Sequence, residues 1–154
     1  MELARQLPSN LQKNGANVCI VDINAEGLDA LAEEIKLIGA NVTSYICDVG
    51  DEQRVREVTK EIINQYGKID ILVNNAGLWR MWKPFVETTS DEWKKRLNVN
   101  VLGLMYFTHE VLPYMIENVY GRIINIGSVA GVYGNANMAD YSMTKGAVSS
   151  FTKA

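Results

Sequence analysis

Short apolar runs alternate with longer segments whose apolar residues return every three or four positions, and that alternation holds along nearly the whole chain. "ANVCIVD" (16–22) is a continuous β-branched run that ends in an acid. "AEGLDALAEEIKLIG" (25–39) carries Leu28, Leu31, Ile35 and Ile38 at helical spacing and stops at Gly39. "NVTSYICDV" (41–49) predicts a strand. "DEQRVREVTKEIINQYG" (51–67) predicts a helix with Val55, Val58, Ile62 and Ile63 on one stripe and a glycine at its end. "IDILVNNAG" (69–77) predicts a strand that is apolar until it reaches the asparagines. A long helical pattern follows over 89–118, opened by a capping box in which Thr89 faces Glu92, with Pro113 as a kink or stop inside it. "GRIINIGS" (121–128) reads as a further buried strand, and 139–154 begins another helix.

Strands without in/out alternation, separated by helices of about a dozen residues, predict a parallel sheet covered on both faces. Right-handed crossovers make it a doubly wound, Rossmann-like α/β sheet. The 154 residues carry no repeat, linker or low-complexity segment, so a single domain spanning 1–154 is expected.

Composition narrows the function classes. Hydrophobic residues make up 47% and charged residues 21%, the balance of an ordinary globular protein. With a net charge of −3 and no basic run, the footprint of a nucleic-acid binder is missing. No apolar stretch approaches the ~20 residues of a membrane span, and the polar N-terminus is not a secretory signal. Cys19 and Cys47 fall in strand-like runs and read as buried free thiols of a reducing compartment, and the lone His109 cannot build a multi-histidine metal site. A cytoplasmic protein without metal is expected.

In an open parallel sheet, ligands bind beyond the carboxyl ends of the strands, and the notable polar residues collect there. Asp22 ends one strand, where a carboxylate accepts the hydroxyls of an adenosine ribose and repels a 2′-phosphate; this favours NAD over NADP. Asp48 ends the next, placed to bond an exocyclic adenine amine. Asn74–Gly77 and Ser128 end two more. Taken singly, each is also explained as an ordinary polar loop or helix cap. "ADYSMTK" places Tyr141 and Lys145 four residues apart, on one face of a helix. A cation beside a phenol favours its charged form by roughly 1–3 pKa units, toward the range where it can exchange a proton with a substrate oxygen. The pair alone favours the plainer reading, a surface helix that carries a Tyr and a Lys by chance, because this spacing is a common accident.

Taken together, "NNAG" (74–77), "NVNVLG" (98–103), "IINIGSVAG" (123–131) and "YSMTK" (141–145), with the gap from Ser128 to Tyr141, resemble the short-chain dehydrogenase/reductase family, most closely its 3-oxoacyl-carrier-protein reductase-like branch. The resemblance implies that Tyr141 exchanges the proton, Ser128 orients the substrate oxygen, and Lys145 lowers the pKa of Tyr141 and binds the nicotinamide ribose. It implies that Asn100 holds a water linking Lys145 to solvent. Asn75, Ala76 and Gly77 would line the cofactor, and Asp48 and Val49 would contact the adenine. Asn74 is read as a brace for the central strands rather than a ligand. The implied substrate is a small-molecule secondary alcohol or ketone, among them a 3-oxoacyl thioester, and the implied assembly is a homo-oligomer, dimer or tetramer.

Parts of the family pattern are missing. Counted back from "KNGANV", the last two positions of the glycine-rich phosphate-binding turn fall on Glu2 and Ala4, and Pro8 sits where the first helix should run, although Leu7 and Leu11 keep its stripe. The chain stops nine residues past Lys145. The expectation is therefore a fold incomplete at both ends, with a bare sheet edge, that is poorly stable alone or leans on a partner chain. A catalytically silent fragment, acting at most as an interaction module, is the competing expectation. Trp79, Arg80, Met81 and Trp82 are candidates for an apolar substrate pocket or for helix cover, and Tyr133, Asn135 and Met138 for substrate contact. His109 is read as a surface or interface residue, and Leu102, Leu104, Met105 and Phe107 as core or oligomer contact.

Overall fold

In the computed structural model the described residues are 15–79 and 82–154. Glu2, Ala4, Leu7, Pro8, Leu11, Arg80 and Met81, on which sequence expectations rest, lie outside them. The chain divides into two compact units, residues 1–48 and 49–154.

The first unit is one parallel β–α–β turn: β1 (Asn17–Asp22), α1 (Ala25–Leu37) and β2 (Asn41–Ile46). The strands pair in parallel from Asn17 opposite Asn41 to Asp22 opposite Ile46, and Cys47 N–H donates to the Asp22 carbonyl to carry the ladder one residue further (3.0 Å). Asn24 starts α1 by accepting from Gly27 N–H (3.1 Å), a short polar side chain satisfying an orphan helix donor. Gly39 closes the turn at φ 84°, where a side chain would be strained. Leu28, Ala32 and Ile35 form the buried stripe, joined by Ala40, Tyr45 and Cys47. Leu31, expected on it, is only half-buried.

The second unit begins with α2 (Glu52–Tyr66), whose N-cap Asp51 accepts from Arg54 N–H (3.1 Å) and whose C-cap Gly67 turns left-handed. Its Val55, Val58, Thr59 and Ile62 are buried, and it packs on α4 (Gly103–Glu117). β3 (Ile71–Asn74) and β4 (Arg122–Asn125) pair in parallel, Ile71 opposite Arg122 and Asn74 opposite Asn125. The predicted capping box is present at α3 (Ser90–Leu97): Thr89 N–H donates to Glu92 Oε2 (2.7 Å) and Glu92 N–H to Thr89 Oγ1 (3.3 Å). The α5 turn (Ala130–Tyr133) and α6 (Ala139–Lys153) complete the unit.

The α/β class with parallel strands is as the pattern predicts, an incomplete Rossmann-like arrangement. Two details differ. Among the described residues the four strands form two separate pairs, β1–β2 and β3–β4. Every strand is then an edge, and Ile46, Ile71 and Ile124 remain exposed although continuous apolar runs predict burial on both faces. The long helical pattern of 89–118 is also not one helix: a π-helical turn over Asn98–Leu102 separates α3 from α4, with Gly103 N–H reaching back to the Asn98 carbonyl. Pro113 neither stops nor ends α4. Its ring removes the donor that would meet the His109 carbonyl, and both residues lie on the exposed side, where solvent can take that carbonyl.

Candidate active site

The chemistry-bearing residues of the second unit come from the ends of β3 and β4, the π-helical turn and the first two turns of α6. The strand ends are tied first. Asn74 Nδ2 donates to Thr108 Oγ1 (3.2 Å) and Asn125 Oδ1 (2.9 Å), and Asn125 Nδ2 donates to Thr152 Oγ1 (3.0 Å). Asn74 thus links β3 to α4 and β4, the bracing part read for it in the sequence. Beyond it, Asn75 N–H bonds the Val73 carbonyl (3.1 Å), and Ala76 and Gly77 run exposed.

Asn100 is 2% exposed and its amide is committed. Oδ1 accepts from Leu78 N–H (2.6 Å), while Nδ2 donates to the Leu78 carbonyl (3.2 Å) and to Thr144 Oγ1 (3.1 Å). A side-chain amide has two donors, so the water-holding capacity left to this side chain is the second lone pair of Oδ1. Thr144, fully buried, passes the link on by donating to the Tyr141 carbonyl (2.8 Å). Thr144 is a site residue that the sequence reading missed; its position three residues after Tyr141 in "YSMTK" was the available signal.

Lys145 is 6% exposed, and its Nζ donates to the Ile126 carbonyl (2.6 Å), two residues before Ser128. Burial pushes its pKa down, because desolvation disfavours the ammonium. Asn100 and Lys145 converge at Gly77: a Cβ placed there would lie 3.5 Å from Asn100 Oδ1 and 3.8 Å from Lys145 Nζ. Gly131, at the end of "IGSVAG", admits a close helix approach. A Cβ there would run into the Lys145 carbonyl group and Gly146 N, so Gly131 lets α5 lie directly against the lysine's backbone. Ser128 and Tyr141 are half-buried. Ser128 Oγ accepts from Ala130 N–H (3.2 Å) at the head of α5.

The adenosine-side candidates are placed as follows. In the first unit Asp22 is exposed at the end of β1, with Oδ1 accepting Asn24 N–H (3.0 Å), and Asp48 is exposed after β2. In the second unit Val49 is half-buried and packs on Gly103, where a Cβ would stand 2.8 Å from Val49 Cγ2.

Among the substrate candidates, Trp79, Trp82 and Tyr133 are exposed, whereas Met138 is 3% exposed and belongs to the core. Lys83 N–H donates to the Asn137 carbonyl (3.0 Å), bringing the loop after Trp82 to the segment that precedes Tyr141. His109 is exposed beside Glu110 (3.5 Å). Leu104 and Phe107 are core, and Leu102 and Met105 are exposed. The Cys47 thiol donates to the Asp48 carbonyl (3.3 Å), and burial raises the Cys19 thiol to about 11. Among the described residues no group of three or more metal-ligating side chains occurs, and no helix is long and apolar enough to cross a membrane.

The residues present fit a nicotinamide dinucleotide. An ammonium carries three donors, and only one of those on Lys145 is given to the Ile126 carbonyl among the described residues, which leaves two for the hydroxyls of a ribose. The bare backbone at Gly77 lets a ligand come close beside it.

Comparison with known proteins agrees. The family model described as "short chain dehydrogenase" matches residues 3–154. The chain is 38% identical over 141 residues to a 3-oxoacyl-[acyl-carrier-protein] reductase of Thermotoga maritima, covering 92% of this chain and 57% of that protein. NAD+-bound xylitol dehydrogenase superposes with a TM-score of 0.91 at 34% identity, covering 97% of this chain and 58% of the other. A metagenomic short-chain oxidoreductase in complex with NADP gives a TM-score of 0.91 at 28% identity, with 97% and 66% covered. The chain thus spans about three-fifths of the length of the first curated relative it matches.

Proposed function

The chain belongs to the short-chain dehydrogenase family, and we propose that it is the cofactor- and proton-handling part of an NAD(P)-dependent oxidoreductase that interconverts a secondary alcohol and a ketone. The observation that carries this reading is the convergence of Asn100 Oδ1 and Lys145 Nζ on the open backbone of Gly77, one helical turn along α6 from Tyr141. Residues 1–154 then form one partial Rossmann-like dinucleotide-binding and catalytic domain, and the whole protein is a homo-oligomer acting on a small molecule. Similarity to the 3-oxoacyl reductase favours a 3-oxoacyl thioester among ketone substrates.

When bound, the nicotinamide supplies or accepts the hydride. The residues of this chain handle the oxygen and the proton. Ser128 Oγ and the Tyr141 hydroxyl orient the carbonyl oxygen, and Tyr141 donates its proton as negative charge develops there. In the alcohol-oxidising direction the same phenol receives the proton. Lys145, held by Ile126, offers its remaining donors to the ribose and its positive charge to the phenolate left behind. Asn100 Oδ1 holds a water that resupplies the proton. Asp22, with one oxygen on Asn24 N–H, offers the other to the adenosine ribose and repels a 2′-phosphate, which makes NAD the preferred cofactor. Asn75 and Ala76 line the nicotinamide side, and Asp48 and Val49 the adenine.

The test is Tyr141→Phe in the full-length polypeptide. Turnover should fall by roughly 10²–10⁴-fold, the size of a general-acid contribution. NADH affinity, followed by nicotinamide fluorescence, should hardly change. Retained turnover would remove Tyr141 from the reaction, and no NADH binding up to millimolar concentration would favour a silent chain.

A further inference from the structure

We propose that Arg96 and Asp140 are positioning residues that, together with Asn100 and Thr144, clamp Tyr141 through its backbone; this rests on reading Tyr141 as the proton donor. Arg96 and Asp140 are 6% and 3% exposed, and an Arg96 Nη1 hydrogen meets Asp140 Oδ2. The other carboxylate oxygen, Asp140 Oδ1, accepts Tyr141 N–H (3.0 Å). Four residues further along both partners, Asn100 Nδ2 donates to Thr144 Oγ1, whose hydroxyl donates to the Tyr141 carbonyl.

The two links are in register. Arg96 and Asn100 lie one turn apart across the junction of α3 and the π-helical turn, and Asp140 and Thr144 lie one turn apart on α6. One link ends on the amide N–H of Tyr141 and the other on its carbonyl, so both backbone polar groups of this residue are held by side chains anchored on the same neighbouring segment.

Two further features favour positioning over bulk stability. α6 has no side-chain N-cap: the N-cap residue is Met138, and the carboxylate bonded to the first-turn amide of Tyr141 is that of Asp140, which also suits the positive end of the helix dipole. And the ion pair is poorly built as a source of stability. Arg96 Nε is buried without a hydrogen-bond partner among the described residues, and buried ion pairs often add little net stability over apolar residues of the same size. What such a pair does supply is a single geometry.

The experiment uses the full-length polypeptide with three changes: Arg96→Met, the neutral double variant Arg96→Met with Asp140→Asn, and Arg96→Lys. The double variant leaves no unpaired buried charge, so it should unfold at about the parental temperature even where the single variant does not fold. In it, kcat should drop at least about tenfold, as expected when a reacting group is misplaced by a fraction of an ångström. KM and NADH affinity should stay within about twofold. Hydrogen exchange at the Tyr141 amide should accelerate by at least about tenfold as the local clamp opens. Arg96→Lys keeps a charge at the end of a long stem and should recover part of both losses. A double variant with parental kcat and parental amide protection overturns the proposal. If Tyr141→Phe keeps its turnover, the acid assignment has failed instead, and the amide protection alone then judges the clamp.

Discussion

The two units of the chain are held together inside by different means. In the first, the buried side chains among the described residues are Leu28, Ala32, Ile35, Ala40, Tyr45 and Cys47, and the side-chain bonds at Asp22, Asn24, Lys36 and Asn41 lie at the surface. In the second, an apolar core of Val55, Val58, Ile62, Phe107 and Val111 is accompanied by Arg96, Asn100, Thr108, Asp140, Thr144 and Lys145, all buried. Burial of apolar surface is non-directional and tolerates small adjustments, whereas a buried amide or charge is stable only with its partner in place. The first unit is therefore built to be folded, the second to be folded in one way. The residues proposed to move protons sit where that directional bonding is concentrated.

The contrast can be broken most sharply at Lys145. Lys145→Met should lower turnover by about 10²–10⁴-fold. It should also remove a group whose folded pKa is depressed by burial. The unfolded chain binds that proton more readily, so at neutral pH the charged lysine works against folding, and the penalty is relieved as pH climbs from the folded value to the ordinary lysine range. The stability of the variant relative to the parent, from denaturant titrations, should therefore be most favourable near neutrality and shrink with rising pH. A difference that is flat or grows with pH would contradict a desolvated lysine.

Ile35→Ala in the first unit probes the opposite case. It should cost about 2–5 kcal/mol of that unit's stability, the range for a buried aliphatic truncation. Turnover per folded molecule at saturating cofactor should be unchanged, measured against the folded fraction by circular dichroism. Asn74→Leu comes next. Its two bonds to Thr108 and Asn125 are lost, and both partners are left short of a donor, for about 1–3 kcal/mol. Here kcat should fall along with stability, because the same amide ties β3 to the elements that carry the site. The smallest effect belongs to the cap of α3: Thr89→Ala should cost about 1 kcal/mol by thermal unfolding and leave kcat alone.

The same division decided what could be read beforehand. The Val55, Val58 and Ile62 stripe of α2, Gly67 at its end and the Thr89–Glu92 box follow from local spacing, and each is found where the pattern puts it. The bracing part of Asn74 was legible too, as a polar residue at the end of an apolar strand. The partnership of Arg96 with Asp140 was not: the two are 44 positions apart, and each alone resembles an ordinary surface charge near a helix end. The π-helical turn was invisible for a related reason: Asn100 inside it bonds Leu78 and Thr144, 22 and 44 positions away, and local spacing does not report such contacts. Exposure of the strand faces depends on neighbouring strands, which periodicity does not report.

The widened coil at Asn98–Leu102 has a consequence for how this stretch can vary. It accommodates one residue more than regular α pitch would, and each residue of an α-helix turns the chain by about 100°. Deleting a single position there would let the backbone relax into an uninterrupted rod with nearly the same facing beyond it, because the widened coil already absorbs the extra residue. Adding a position would instead swing everything after it by more than a quarter revolution, turning Phe107, Thr108 and Val111 away from the interior and Thr108 away from Asn74. Length in this stretch is thus constrained in one direction: the wide coil can close without re-aiming the half-helix that follows, but it cannot take up a further residue.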